Sequence, residues 1–178
     1  MEKKEDRRTA MTKRMLKDAL IEMLKEKDIY HISIRELCER ADVNRTTFYK
    51  YYGSQFDLLT DMENDLLFFL AALVKDPEAD TRKAIETACT YLEDHLDFAR
   101  QIFNNNVDPA FPQKVFSMES VKEAVMKKRD DRHEDQESEY LYNYMTYGAY
   151  RVVCVWLNKG ERESPREIAG ILAKMLLS

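Results

Sequence analysis

Between Asn44 and Tyr52 the chain reads N-R-T-T-F-Y-K-Y-Y. No acid interrupts that stretch, although the whole sequence holds 33 Asp and Glu against 28 Lys and Arg. One guanidinium, one ammonium, two hydroxyls and three phenols are the groups that duplex DNA accepts. Arginine donates two hydrogen bonds to guanine, threonine bonds several bases or touches a thymine methyl, and Tyr and Lys bond sugar-phosphate. As a helix lying in a major groove, the stretch presents Arg45, Thr46 and Thr47 to base edges at its N-terminal end. Tyr49, Lys50 and Tyr51 follow where side chains meet the backbone. Ser33, at the start of the preceding helix, lies where N–H groups and the helix dipole attract phosphate. Phe48 and Val43 are expected to lock the helix onto Leu37 and Leu20, with Tyr52 beside them. A packed surface helix without a DNA role carries tyrosines too. The acid-free polar face, the capping signals and the short turn together favour DNA binding.

Those side chains need a scaffold, and helical periodicity supplies one. Leu16, Ala19, Leu20, Met23 and Leu24 recur at helical spacing, predicting a helix over Arg8–Lys27. Ser33 with Glu36 three positions later is a capping box, and Ile34, Leu37, Cys38 and Ala41 stripe the short helix that follows. Asp42 and Val43 form a tight turn, and Asn44 caps a third helix over Arg45–Tyr51. Ser54 with Asp57 opens a fourth. Leu59, Met62, Leu66, Leu70 and Leu73 carry it to Val74, where Asp76-Pro77 ends it. Two short helices joined by a three-residue turn have the form of a helix-turn-helix.

The remainder is helical as well. Helices are expected over Thr81–His95, Leu96–Phe103, Phe111 to about Lys128, Tyr140–Leu157 and a last one capped by Ser164-Pro165-Arg166-Glu167. Asn104-Asn105-Asn106 and the charge run Lys127–Glu139 break the pattern. The expected fold is all-α with about nine helices. A helix-turn-helix DNA-binding domain covers 1–55, and a helical regulatory and dimerisation domain covers 56–178.

Charge follows the same division. Residues 1–55 carry 13 Lys and Arg against 10 Asp and Glu, whereas the rest carries 15 against 23. A basic head on an acidic body implies that the head alone meets an anionic partner. No apolar run is long enough to cross a membrane, and MEKKEDRR lacks the apolar centre of a signal peptide. Cys38, Cys89 and Cys154 are odd in number and far apart, so they read as reduced thiols in a cytoplasmic protein. No Gly-rich phosphate loop, nucleophile elbow or paired cysteine motif is present. Asp94, His95 and Asp97 lack the spacing of helical metal ligands, and His133-Glu134-Asp135 sits in the charge run. The expectation is therefore no enzyme, no catalytic residue, no metal and no cofactor.

With these residues in hand, "ISIRELCERADVNRTTFYKYYGSQFDLL" (Ile32–Leu59) resembles the DNA-binding domain of the TetR family of bacterial transcriptional regulators. The resemblance implies phosphate contacts at Ser33, Asn44 and Tyr49 and base contacts at Arg45, Thr46 and Thr47. Tyr51 falls where the family often has His or Tyr facing the backbone. Asp42 replaces the family's usual turn glycine, and Gln55 replaces a lysine common at the start of the fourth helix. "YMTYGAYRVVCVWLNKGERESPREIAGIL" (Tyr144–Leu172) is similar to a subgroup that includes activator-like regulators of dihydroxyacetone kinase operons.

The body is then expected to dimerise and to sense. Its two most apolar helices make a candidate dimer interface of Tyr144, Tyr147, Gly148, Val152, Val155, Trp156 and Leu172, with the protomer's own core as the competing use of the same residues. Tyr91, His95, Phe98, Phe103, Phe116, Met126 and Tyr147 are candidate linings of an effector pocket, with plain core again the competing reading. The expected function is a homodimeric repressor of a palindromic operator on double-stranded DNA, released by a small-molecule effector. The alternative is a DNA-binding regulator controlled by a protein partner.

Overall fold

The computed structural model describes residues 7–75, 80–103, 107–126 and 135–177. The expected stops at Asp76-Pro77 and Asn104-Asn105-Asn106, and the charge run up to Glu134 with His133, lie outside the described residues. Among the described residues there are ten α-helices, one 3-10 turn and no strand. In order they are α1 (Arg7–Leu24), the 3-10 turn (Ile29–His31), α2 (Ile34–Arg40), α3 (Arg45–Tyr51), α4 (Gln55–Val74) and α5 (Thr81–Asp94). Then come α6 (Leu96–Ile102), α7 (Phe111–Phe116), α8 (Glu119–Met126), α9 (Asp135–Asn158) and α10 (Pro165–Leu177).

The chain divides into two compact units, Met1–Asp65 and Leu66–Ser178. The division falls inside α4, ten residues beyond the expected 55/56 boundary. The first turns of α4 account for the difference, because they add buried Leu58, Leu59 and Met62 to the first unit.

In the head, Leu16, Leu20 and Met23 of α1 are buried together with Leu37 of α2 and Phe48 of α3. α2 is only two turns long, too short to persist without packing, and it lies against α1 and α3. Its first turn is closed by the predicted capping box. The Glu36 N–H donates to Ser33 Oγ at 3.2 Å and the Ser33 N–H donates back to Glu36 Oε2 at 3.2 Å. Asp42 adopts φ 51°, the left-handed conformation expected of the residue in the family's glycine position.

In the body, α10 packs on α5 and α9, and α6 packs on α5 and α9. Trp156, Leu157, Ala169 and Ala99 are buried at these junctions. The predicted cap of α10 is present: Ser164 Oγ donates to Glu167 Oε2 at 2.7 Å and the Ser164 N–H to the same atom at 2.9 Å. The single helix expected from Phe111 to Lys128 is instead two, α7 and α8. The Ser117 and Met118 N–H groups close α7 on the Gln113 and Val115 carbonyls, and the Met118 carbonyl restarts the pattern by accepting from Val121 and Lys122. Beside the break, Tyr142 donates its hydroxyl to the Phe116 carbonyl at 2.7 Å. Val125, Tyr142 and Met145 form a small core around this junction.

Candidate nucleic-acid interface

α2 and α3 enclose an open hollow of about 560 Å³, lined by Arg35, Cys38, Glu39, Asp42, Val43, Asn44 and Arg45. α3 forms one wall. Asn44, in extended conformation, accepts the Thr46 N–H on its side-chain oxygen at 2.8 Å, which sets where the helix starts. Phe48 is fully buried and anchors the other face. With Phe48 inward, Arg45, Thr46, Tyr49 and Lys50 are exposed and Thr47 is half-buried.

Ion pairing separates α3 from its neighbours. Arg35 bonds Glu39 at 2.8 Å, Arg40 takes both oxygens of Glu26 at 2.7 and 3.2 Å, and Lys27 bonds Glu36 at 3.0 Å. Lys17 bridges Asp61 at 2.8 Å and Asp65 at 2.6 Å. Among the described residues no carboxylate pairs with Arg45 or Lys50. Lys50 has only the Tyr51 ring, 5.4 Å from Nζ to centroid. The head as a whole is close to neutral, but these two cations project from a helix that itself carries no acid. An exposed cation without a counter-charge keeps its full attraction for phosphate or for guanine acceptors.

The other expected contacts are placed less simply. Ser33 is exposed, but its hydroxyl donates to Glu36 at 2.8 Å and its N–H is bonded to the same carboxylate. The Ser33 hydroxyl, then Lys27, then the Ser33 N–H hold Glu36 down to about 2 from its ordinary 4.5. A phosphate at this helix start therefore meets an ionised carboxylate already seated there. Tyr51 is half-buried, and its hydroxyl lies 3.2 Å from Thr9 Oγ1 of α1. That phenol is engaged by the head itself. Gln55 turns inward, donating to the Ile29 carbonyl at 3.4 Å. Burial pushes the Cys38 thiol up, against a smaller opposing effect of the Arg45 charge, so the thiol at the floor of the hollow is protonated and inert.

The body's candidate residues fall into separate groups. Tyr91 stacks on Phe69 and on His95, each pair 4.3 Å between centroids. Phe103 stacks on Tyr150 at 5.3 Å, and Phe116 lies 5.8 Å from Tyr147 and 6.3 Å from Tyr150. The expected lining thus forms a three-ring stack that includes His95 and a second cluster built around Phe103, Phe116 and Tyr150. Phe98 is half-buried. Among the expected dimer residues, Tyr144 is 80% exposed and Val155 48% exposed, and Val152 and Gly148 are half-buried. Trp156 and Leu172 are different, at 1% and 3% exposure. The Trp156 indole donates to the Glu163 carbonyl at 2.8 Å, so it is committed to the protomer's own core. At Gly148 an added Cβ would meet Met175 Cε at 4.0 Å, an ordinary contact, so the protomer itself does not demand glycine there. Ile171 and Met175 of α10, the second read from the sequence as part of that helix's apolar stripe and neither as an interface residue, are also exposed apolar side chains.

Two family models match this chain. Residues 16–62 match the bacterial regulatory proteins of the tetR family, and residues 80–178 match a transcriptional regulator C-terminal region. The second alone covers more than half of the chain. The protein belongs to the TetR family. That family is one of DNA-binding transcriptional regulators rather than enzymes. The chain is 25% identical over 162 residues to YxbF of Bacillus subtilis (strain 168), described as an uncharacterised HTH-type transcriptional regulator. That match covers 86% of this chain, but the chain spans only 42% of YxbF.

Solved structures agree on the fold of the TetR protein. A TetR transcriptional regulator from Streptococcus agalactiae 2603V superposes with a TM-score of 0.70 at 20% identity, covering 97% of both chains. The dihydroxyacetone kinase operon activator DhaS gives 0.60 at 21% identity, over 93% of this chain and 94% of its own. FadR of Thermus thermophilus, a TetR-family repressor in complex with lauroyl-CoA, gives 0.62 at 17% identity over 93% of each. No helix among the described residues is long and apolar enough to cross a membrane.

Proposed function

We propose that this TetR regulator is a repressor that binds a palindromic operator as a homodimer through α3 and is released by a small, largely apolar effector. The observation that carries the DNA-contacting role of α3 is the exposed Arg45–Lys50 face without a carboxylate partner, set among cations that are paired. Arg45, Thr46 and Thr47 read base edges. Asn44, Tyr49 and Lys50 hold the backbone, with Ser33 and Tyr51 at its margin, where their hydroxyls exchange Glu36 and Thr9 for phosphate.

One helix-turn-helix reads few base pairs, so two heads on a two-fold site are needed for useful specificity. The exposed Tyr144, Tyr147 and Val155 of α9, with Ile171 and Met175 of α10, support the pairing of two bodies. The ring cluster around Phe103, Phe116 and Tyr150 supports an apolar effector, and FadR, of the same fold, is a repressor in complex with lauroyl-CoA. Light scattering at micromolar concentration is expected to give twice the 21.1 kDa chain mass. A thermal-shift screen that includes lauroyl-CoA is expected to yield a stabilising compound that lowers operator affinity. A chain-mass particle removes the dimer, and equal operator affinity with and without every stabilising compound removes effector release.

A further inference from the structure

We propose that Tyr52 and Asp61 are positioning residues for DNA recognition: the hydrogen bond between them fixes the orientation in which α3 presents Arg45 to a duplex. The inference rests on the reading of α3 as the DNA-contacting helix. α3 has only seven residues, and Phe48 is its one buried side chain. Ring packing is non-directional, so Phe48 by itself does not fix the roll of a two-turn helix; directional contacts at its end must do so, and the Tyr51–Thr9 contact to α1 is one of them. Tyr52 follows directly after α3, with its N–H on the Phe48 carbonyl at 3.0 Å and its ring 5.7 Å from that of Phe48. The Tyr52 ring is 6% exposed, and its hydroxyl donates to Asp61 Oδ2 of α4 at 2.8 Å. A hydrogen bond is directional where ring packing is not, and a charged acceptor strengthens it.

Asp61 is itself held from two sides. Its Oδ2 accepts from Lys17 Nζ of α1 at 2.8 Å, and Lys17 also reaches Asp65 at 2.6 Å. Burial alone would raise the Asp61 pKa, but the hydrogen bonds from Lys17 and Tyr52, with the Lys17 and Lys13 charges, outweigh it and hold the carboxyl below its ordinary value. The acceptor is therefore ionised at neutral pH. Lys17 bridges α1 to α4, and the Tyr52 hydroxyl ties the end of α3 to α4, beside the Tyr51–Thr9 contact that ties it to α1.

The test compares affinity for a selected operator with affinity for a random duplex of equal length, over a salt series, with unfolding followed on the same samples. Tyr52→Phe keeps the ring and removes only the donor. It is expected to lower operator affinity about threefold to tenfold, while random-duplex affinity and salt slope stay at the wild-type values. Asp61→Asn keeps an acceptor and is expected to retain the wild-type operator preference to within about twofold. Asp61→Leu is expected to lose as much preference as Tyr52→Phe, and the double variant no more than the larger single loss. Tyr52→Phe with wild-type operator affinity, or with equal losses on operator and random duplex, overturns the positioning role. If the wild-type protein selects no operator at all, the DNA reading of α3 fails, an outcome distinct from a wild type that binds beside an unaffected Tyr52→Phe.

Discussion

In the head, several of the described cations are neutralised by a carboxylate, but the two on α3 are not. Lys17, Lys27, Arg35 and Arg40 each sit on a carboxylate, whereas Arg45 and Lys50 of α3 do not. In the body the exposed anomaly is apolar: Tyr144, Tyr147 and Val155 on α9, Ile171 and Met175 on α10. The two regions are thus incomplete in different currencies. A helix left with unneutralised cations calls for a polyanion, and an apolar face left in water calls for another apolar face. On the proposed function, the difference separates the surface that would read DNA from the one that would bring two readers together.

The sharpest way to break this comparison is on the body side. Tyr144→Glu places a charge on the exposed face without touching the protomer's core. Dimer affinity is expected to fall by about 2 kcal/mol or more, roughly thirtyfold, seen as a shift of sedimentation or scattering mass toward the single chain. The unfolding temperature extrapolated to the monomer should not move. An unchanged mass would show that α9 does not carry the interface.

On the head side, Arg45→Ala is expected to cost about 1–3 kcal/mol of operator affinity and to relax preference at one base position. Equal losses on operator and random duplex would reassign Arg45 from bases to phosphate. Ser33→Ala is expected to cost about 1 kcal/mol of stability through loss of the α2 cap. It should also let the Glu36 pKa climb from about 2 toward 4.5, as carboxyl NMR titration would report. Because Glu36 is depressed in the folded state, its contribution is complete above pH 4.5 and is lost as pH falls toward 2. Ser33→Ala should flatten that acid-side decline. The smallest effect belongs to Lys50→Ala, a uniform weakening on all duplexes with a salt slope reduced by about one.

How much of this was legible in the sequence depended on the range of the interaction. Ser33, Asn44 and Ser164 sit beside the N–H groups they cap, so short patterns placed α2, α3 and α10 to within a residue. The left-handed Asp42 was legible from the family resemblance, which places a turn glycine at that position. Contacts between distant segments were not. Nothing local announces that Tyr51 meets Thr9, that Tyr52 meets Asp61 and through it Lys17, or that Tyr142 bonds the Phe116 carbonyl beside the break between α7 and α8. Periodicity also shows that a helix has an apolar face without saying what covers it. Trp156 and Leu172 went to the protomer's own core, while Tyr144 and Val155 on the same two-helix pattern stayed in water.

The central claim is that the uncompensated face of α3 binds duplex DNA and that a second chain supplies its counterpart. Selection of bound duplexes from a random pool at low ionic strength tests both halves together. The account predicts an enriched palindrome whose half-sites lie about one helical turn, or a multiple of it, apart. A pool that emerges unenriched, or enriched only in a single half-site without a symmetric partner, would contradict it.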